Sequence, residues 1–162
     1  MSVFIRDSGS YQPKKNKEGG GYAIQFGWIF NGLTWKKTSK MAFARDRPAC
    51  AVLNGRILVA GGCDGNCKSR NGFLKSVEVY DPDLDTWERV ADLDFPVTSA
   101  KMDILHGLPT LVGGFTGSYG NTDLIQYFEE EDRWIPLNGV KLEITRSSPV
   151  VFQVPKDYFN IC

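Results

Sequence analysis

The chain repeats itself at an interval close to 50 residues, and this regularity limits what it can fold into. Two glycine pairs lie 52 positions apart, and two Tyr/Trp pairs lie 47 positions apart, with seven residues from Tyr to Trp in both copies. The recurring residues are Gly61, Gly62, Tyr80 and Trp87, then Gly113, Gly114, Tyr127 and Trp134. A period of this size predicts an array of similar units, each one a small supersecondary structure.

Each unit is predicted to consist of four short strands. In the clearer copy the apolar runs 49–53 and 56–60 flank Asn54-Gly55, a dipeptide typical of two-residue hairpins. The run 76–80 alternates apolar and polar residues, as half-buried strands do, and 86–90 supplies the fourth strand. The fold class is therefore predicted to be all-β.

The repeat spacing predicts four segments along the chain. Residues 1–41 form a degenerate partial unit with a basic, glycine-rich loop, and residues 42–93 and 94–142 form two full units. Residues 143–162 provide the leading strand of a further or closing unit, followed by a tail.

Charge and hydropathy exclude several classes of partner. The chain carries 19 Lys+Arg against 19 Asp+Glu, so it lacks the basic surface that nucleic acids and acidic membranes attract. It contains neither an apolar run of roughly 20 residues nor the pattern of a secretory signal. We therefore expect a cytoplasmic protein whose four cysteines are reduced thiols.

The glycine pair, the Tyr and the Trp resemble the kelch repeat. The stretches AVLNGRILVAGGCDG and SVEVYDPDLDTWERVADL are similar to repeats of kelch-like (BTB-kelch) adaptor proteins, in the C-terminal part of their propeller. The resemblance implies kelch-type β-propeller blades: two full four-stranded blades, a partial blade and a final strand. It also implies that the glycines, Tyr and Trp are architectural, with the aromatic rings filling the wedge between blades.

About three blades cannot close a ring, since propellers have four to eight. The sequence leaves three explanations open. It is a fragment of a longer protein, or two chains close a six-bladed ring as a homodimer by strand exchange, or a partial array has its ends covered by a partner.

The sequence does not favour an enzyme or a metal site. Cys63 and Cys67 lie in the loop after the first glycine pair, but His106 is the single histidine and a zinc site needs four ligands. The copper oxidases of the kelch fold use two histidines, which this chain cannot supply. We expect no cofactor and free loop thiols. A redox role for the two cysteines stays open, because Lys68 and Arg70 would lower a thiol pKa.

Function is therefore expected on the loops. In kelch-like adaptors, partner peptides bind the rim built from the loops after the glycine pair and the loops between blades. Carried over by position, the first set is Asp64, Asn66, Arg70 and Asn71, then Thr116, Ser118, Tyr119 and Asn121. The loops between blades add Arg45, Asp46, Arg47, Arg146, Ser147 and Ser148. Each arginine either anchors an acidic group of a partner or pairs with a local carboxylate.

The resemblance implies a non-catalytic module that recognises a protein partner or short peptide, as in the adaptors of cullin-RING ubiquitin ligases. Those adaptors recruit the ligase through a BTB domain, for which this sequence has no room. The alternative is an actin-binding kelch protein of the cytoskeleton, and a kelch-fold oxidase is a third reading.

Overall fold

The computed structural model describes residues 2–4, 23–67 and 70–151, and it contains three antiparallel sheets. The first sheet has three short strands in the order β1-β2-β3, and the other two have four each. Strands β1 to β3 span Ser2–Phe4, Trp28–Phe30 and Trp35–Lys37. The second sheet contains β4 (Ala49–Leu53), β5 (Arg56–Ala60), β6 (Val77–Asp81) and β7 (Thr86–Val90). The third contains β8 (Lys101–Leu105), β9 (Leu108–Val112), β10 (Asp123–Phe128) and β11 (Arg133–Lys141).

The two four-stranded sheets confirm the predicted all-β fold. Within each sheet the strands pair in chain order, as in a propeller blade. The two sheets begin with the same hairpin, in which Leu53 pairs with Arg56 and Leu105 pairs with Leu108. Both turn dipeptides, Asn54-Gly55 and His106-Gly107, have positive φ angles, as a tight two-residue hairpin requires. The structure assigns no α-helix to the described residues. The same residues contain no helix that is long and apolar enough to cross a membrane.

The hydrophobic core lies between neighbouring sheets. Alternate residues of β5 point in opposite directions, since side chains of a strand alternate between its faces. Ile57 and Val59 pack with Ile29 and Met41 beside the first sheet. Leu58 and Ala60 belong to the cluster that includes Met102 and Leu111 of the third sheet. The middle sheet is therefore buried on both faces, which explains why β5 is apolar at four successive positions.

A Tyr–Asp–Trp contact closes each four-stranded sheet against the segment that precedes it. The phenol of Tyr80 donates a hydrogen bond to Asp85 at 2.5 Å, and its ring lies 5.0 Å from that of Trp87. Asp85 accepts a bond from the backbone N–H of Ser39, and the Trp87 indole donates to the carbonyl of Ser39. The third sheet repeats every contact, with Tyr127, Asp132, Trp134 and Ala91. The repeat thus specifies how sheets join as well as how each one folds.

The first glycine of each pair lies where backbones nearly touch. Gly61 has φ +64, and a Cβ there would meet the carbonyl oxygen of Val97. Gly113 has φ +67, and a Cβ there would lie 2.6 Å from the carbonyl oxygen of Arg146. Only glycine combines this conformation with so close an approach.

The segment after β11, expected to hold a further leading strand and a tail, is described only in part. Residues 142–151 contain no strand, and residues 152–162 lie outside the described residues. The basic, glycine-rich loop expected near residues 14–21 also lies outside them.

Candidate functional site

Two kinds of loop meet at one end of the sheets. The loop between the first and second sheets is bound to the loop after the glycine pair, since Asp46 and Cys63 exchange backbone hydrogen bonds of 2.7 and 2.9 Å. Thr98 and Phe115 exchange the same pair one blade later, at 3.0 and 2.9 Å. We call this end the rim. It comprises the segments between blades, 45–48, 97–99 and 146–148, and the described residues of the segments 63–75 and 115–122.

The three segments between blades are linked to one another by main-chain hydrogen bonds. The N–H of Ser99 donates to the carbonyl of Arg47 at 3.0 Å, and the N–H of Ser148 donates to the carbonyl of Ser99 at 2.6 Å. All three residues have φ angles between 51° and 56°. Non-glycine residues seldom adopt this conformation, and its recurrence shows that the three segments are copies of one turn. We call this series of bonds the rim ladder.

The structure places Arg45 in the core, not on the rim surface, which corrects its assignment as a partner-binding residue. Its guanidinium pairs with Glu78 at 2.8 Å, and both side chains are almost fully buried. It also donates to the carbonyls of Gly61 and Ser76, at 2.7 and 2.8 Å. Burial lowers the pKa of Arg45, and the hydrogen bond and charge of Glu78 oppose that shift. Of the two roles left open for this arginine, the structure supports pairing with a local carboxylate.

Thr116 and Asn121 are also directed inward, so they too are corrected from binding to architectural residues. The Thr116 hydroxyl donates to the carbonyl of Tyr119 at 2.9 Å. The Asn121 amide donates to the carbonyls of Gly113 and Asp123, at 3.2 and 2.9 Å. Both side chains are buried and shape the loop that displays its neighbours.

The remaining rim residues from the sequence are accessible. Arg47 is exposed and pairs with the half-buried Asp46 at 3.2 Å. Tyr119 is 67% exposed. The other exposed residues are Asp64, Asn66, Asn71, Ser118, Arg146, Ser147 and Ser148. Arg70 begins the short 3-10 turn Arg70–Gly72, and its side chain lies outside what the structure describes.

The structure adds one surface residue that sequence reasoning missed. Phe115 is 39% exposed, and its ring lies 6.0 Å from that of Phe73 in an edge-to-face contact. It thus joins the loops of two neighbouring blades. An aromatic residue directly after a glycine pair was the available signal, because apart from Tyr119 the rest of that loop consists of small and polar residues.

The expectation of free thiols in the first rim loop is wrong. Cys63 and Cys67 form a disulfide, with 5.6 Å between their Cα atoms, and Cys63 is completely buried. The bond encloses Asp64 and Asn66, two of the exposed rim residues. Cys50 is the free cysteine among the described residues, and burial raises the pKa of its thiol.

The single histidine of the chain lies away from the rim. His106 is exposed in the turn between β8 and β9, at the end of the third sheet opposite its rim loop. The structure therefore does not bring it together with the cysteines or with the serines of the rim.

Known proteins show similarity to this chain in its repeats. The family of the Kelch motif matches residues 44–93. Kelch-like protein 35 of Mus musculus is 36% identical over 110 residues, which cover 66% of this chain and 18% of that protein. Beta-scruin of Limulus polyphemus is 33% identical over 82 residues, which cover 51% of this chain and 8% of that protein. The chain therefore spans less than a fifth of the length of these two relatives.

A solved structure supports the fold independently of sequence. The structure of YjhT superposes with a TM-score of 0.58 at 13% identity, covering 69% of this chain and 44% of that one. The equivalent Tyr–Asp–Trp contacts, the paired glycines and the matched Kelch motif lead to one conclusion. The chain is a kelch-repeat protein whose repeats resemble those of kelch-like adaptors.

Proposed function

We propose that the chain is a non-catalytic interaction module of the cytoplasm that binds a segment of a protein partner across the rim. The observation that carries the proposal is the rim ladder. It aligns the turns of Arg47, Ser99 and Ser148 by main-chain bonds, so these turns of successive blades lie next to one another. Rigid scaffolds that display adjacent loops are a common basis for recognition.

The exposed rim chemistry favours an acidic segment that carries an apolar side chain. Arg47 and Arg146 lie on segments between blades, and a guanidinium matches a carboxylate in two hydrogen bonds. Ser147 and Ser148 add hydroxyl donors beside Arg146. Phe115 and Tyr119, on the rim loop of the third sheet, provide exposed apolar contact area.

The similarity to Kelch-like protein 35 supports the proposal that this recognition serves a ubiquitin ligase adaptor, with a BTB region outside this sequence bringing the cullin machinery. The similarity to Beta-scruin supports an alternative role in the cytoskeleton, as an actin binder. Binding of actin filaments measured by co-sedimentation would select the alternative, and binding of short acidic peptides would select the first role.

Peptide binding tests the rim directly. In fluorescence anisotropy with a pool of acidic, aromatic-containing peptides, we expect Arg47→Ala and Arg146→Ala each to weaken binding by about tenfold, the usual effect of losing a charged hydrogen bond. Arg133→Ala is the matched control, since Arg133 is an exposed arginine at the start of β11 that pairs with Glu131 of the preceding turn, away from the rim. Equal affinity of all three variants, or equal binding of acidic and basic peptides, would refute the rim as the binding surface.

A further inference from the structure

The disulfide of the first rim loop lies beside a carboxylate that sequence spacing did not connect with it. A carboxylate oxygen of Asp46 and the sulfurs of Cys63 and Cys67 lie within 4.8 Å of one another. Sγ of Cys67 is 3.3 Å from Oδ2 of Asp46. Two sulfurs and one carboxylate oxygen at this spacing are three of the four ligands that zinc takes in proteins.

The backbone holds two of these residues in place independently of the disulfide. Asp46 and Cys63 face each other through a reciprocal pair of main-chain hydrogen bonds, of 2.7 and 2.9 Å. Cys63 also forms an antiparallel bridge with Phe73 on its other side. Breaking the sulfur–sulfur bond therefore leaves the Cys63 sulfur and the Asp46 carboxylate adjacent, with Cys67 only four residues away in the same loop.

We propose that Asp46, Cys63 and Cys67 form a redox-gated site for a thiophilic divalent cation of the zinc type. A dithiol reductant transfers two electrons and two protons to the disulfide, which breaks to give two thiols, while the reductant becomes a disulfide. The cation then replaces the two thiol protons and is held by two thiolates and one carboxylate. Water or a group from a partner would supply the fourth ligand. This inference does not depend on the proposed function.

The charge around the cluster suits such a site. Two thiolates and a carboxylate leave one net negative charge after binding a divalent cation. The guanidinium of Arg47 lies 3.2 Å from Oδ2 of Asp46, where it offsets that charge and orients the carboxylate. Hydrogen-bonded partners of this kind are a regular part of metal sites, and their loss lowers metal affinity by about 10- to 100-fold.

Cobalt(II) provides a spectroscopic test, because thiolate ligation gives an intense near-ultraviolet charge-transfer band and a tetrahedral site gives visible absorption. The full chain would be reduced with a trialkylphosphine, which leaves no competing dithiol in solution, and titrated with cobalt(II) and then with zinc(II). We expect a stoichiometric complex that zinc displaces. The oxidised chain is expected to give no charge-transfer band.

The variants separate this site from adventitious binding. Asp46→Asn and Cys67→Ser change half-buried residues, and each is expected to lower the affinity of the reduced chain for the metal ion more than about tenfold. Arg47→Gln is expected to lower this affinity by about tenfold. Cys50→Ser is the control, since Cys50 is a half-buried free cysteine of β4 and should leave the titration unchanged. Tryptophan fluorescence checks that each variant is folded. The proposal is overturned if the reduced chain gives no band, if the oxidised chain gives the same band, or if folded Cys67→Ser binds as tightly as the parent.

Discussion

Trp134 donates a hydrogen bond of 2.9 Å from its indole nitrogen to the backbone carbonyl of Ala91. Ala91 directly follows the last strand of the preceding sheet, so this bond joins one blade to the next. Trp87 makes the equivalent bond of 3.0 Å to Ser39. The junctions between blades therefore depend on a polar contact at the edge of an otherwise apolar interface.

The first prediction concerns this junction. Trp134→Phe removes the indole donor and leaves the Ala91 carbonyl without it, and it also leaves unfilled space beside Tyr127. We expect a loss of about 2–4 kcal/mol in the free energy of unfolding, measured by urea denaturation. Trp35→Phe is the control, because Trp35 is 50% exposed, and it should cost clearly less. Equal losses for the two variants would contradict a special role for the junction.

The second prediction concerns acid stability. The hydrogen bond from Tyr80, and then that from the Ser39 backbone, hold the pKa of Asp85 below its ordinary value of 3.8. A carboxyl whose pKa is lowered by folding stabilises the folded state above its ordinary pKa, and this contribution is lost as the pH falls through the folded-state pKa. Asp85→Asn should therefore be less stable than the parent at neutral pH, with the difference shrinking below pH 3.8.

Melting temperatures from pH 7 down to pH 2 would measure this effect. Asp83→Asn, in the same turn, is the control, because Asp83 is exposed and its carboxylate is not part of the Tyr–Asp–Trp contact. A difference between Asp85→Asn and the parent that stays constant over the whole pH range would show that the stabilisation does not come from the charged carboxylate.

The third prediction uses the buried ion pair of the second sheet. Glu78→Ala leaves the Arg45 guanidinium buried without its carboxylate, which typically costs about 3–5 kcal/mol. The next blade contains Val97 and Ile125 at the two equivalent positions, so the chain itself provides an apolar version of the pair. We expect Arg45→Val with Glu78→Ile to recover part of the loss, measured by denaturant unfolding.

Recovery in this double variant should be incomplete for a specific reason. Arg45 also donates to the carbonyl of Gly61, whereas Asn121 supplies the donor to the equivalent Gly113. The double variant leaves the first of these carbonyls without that donor. If the double variant is less stable than Glu78→Ala, then Arg45 and Glu78 stabilise the folded state by more than the mutual neutralisation of their charges.

The fourth prediction tests the close approach at the paired glycines. Gly61→Ala introduces a Cβ against the Val97 carbonyl in addition to an unfavourable φ, so it should prevent stable folding or cost more than about 3 kcal/mol. Gly55→Ala has φ +78 but open space around the new Cβ, and it should cost about 1 kcal/mol. Melting temperatures of both variants, measured by circular dichroism, separate the effect of the close contact from that of the unfavourable φ. Similar melting temperatures would contradict the steric argument.

The sequence predicted the architecture well because its signals are local or periodic. The spacing of Tyr80 and Trp87, and of their counterparts Tyr127 and Trp134, follows directly from strand alternation and a short turn. The partner of each indole, by contrast, lies 43 or 48 residues earlier and is a backbone carbonyl, which has no residue-type signature. The fold and the position of the rings between blades were therefore predictable, while the backbone partners of the two indoles at the blade junctions were not.

The candidate site was harder to predict for the same physical reason. Arg45 and Arg47 lie two residues apart, yet one is buried against Glu78 and the other is exposed, and only the packing of β6 distinguishes them. Thr116 and Asn121 have the composition of a binding loop, but their side chains satisfy backbone groups of that loop. Which polar residues a loop turns inward depends on its backbone path, which composition does not specify.

The rim ladder sets a separation between the anchoring positions of successive blades that no rotamer can adjust. Ser148 is connected to Ser99, and Ser99 to Arg47, by backbone atoms alone. Replacing a rim side chain therefore changes which ligand group binds at that position, but it does not change the distance to the contact position on the next blade. In related proteins that have the rim ladder, a ligand segment should tolerate replacement of single residues more readily than insertion or deletion of residues between its contact positions.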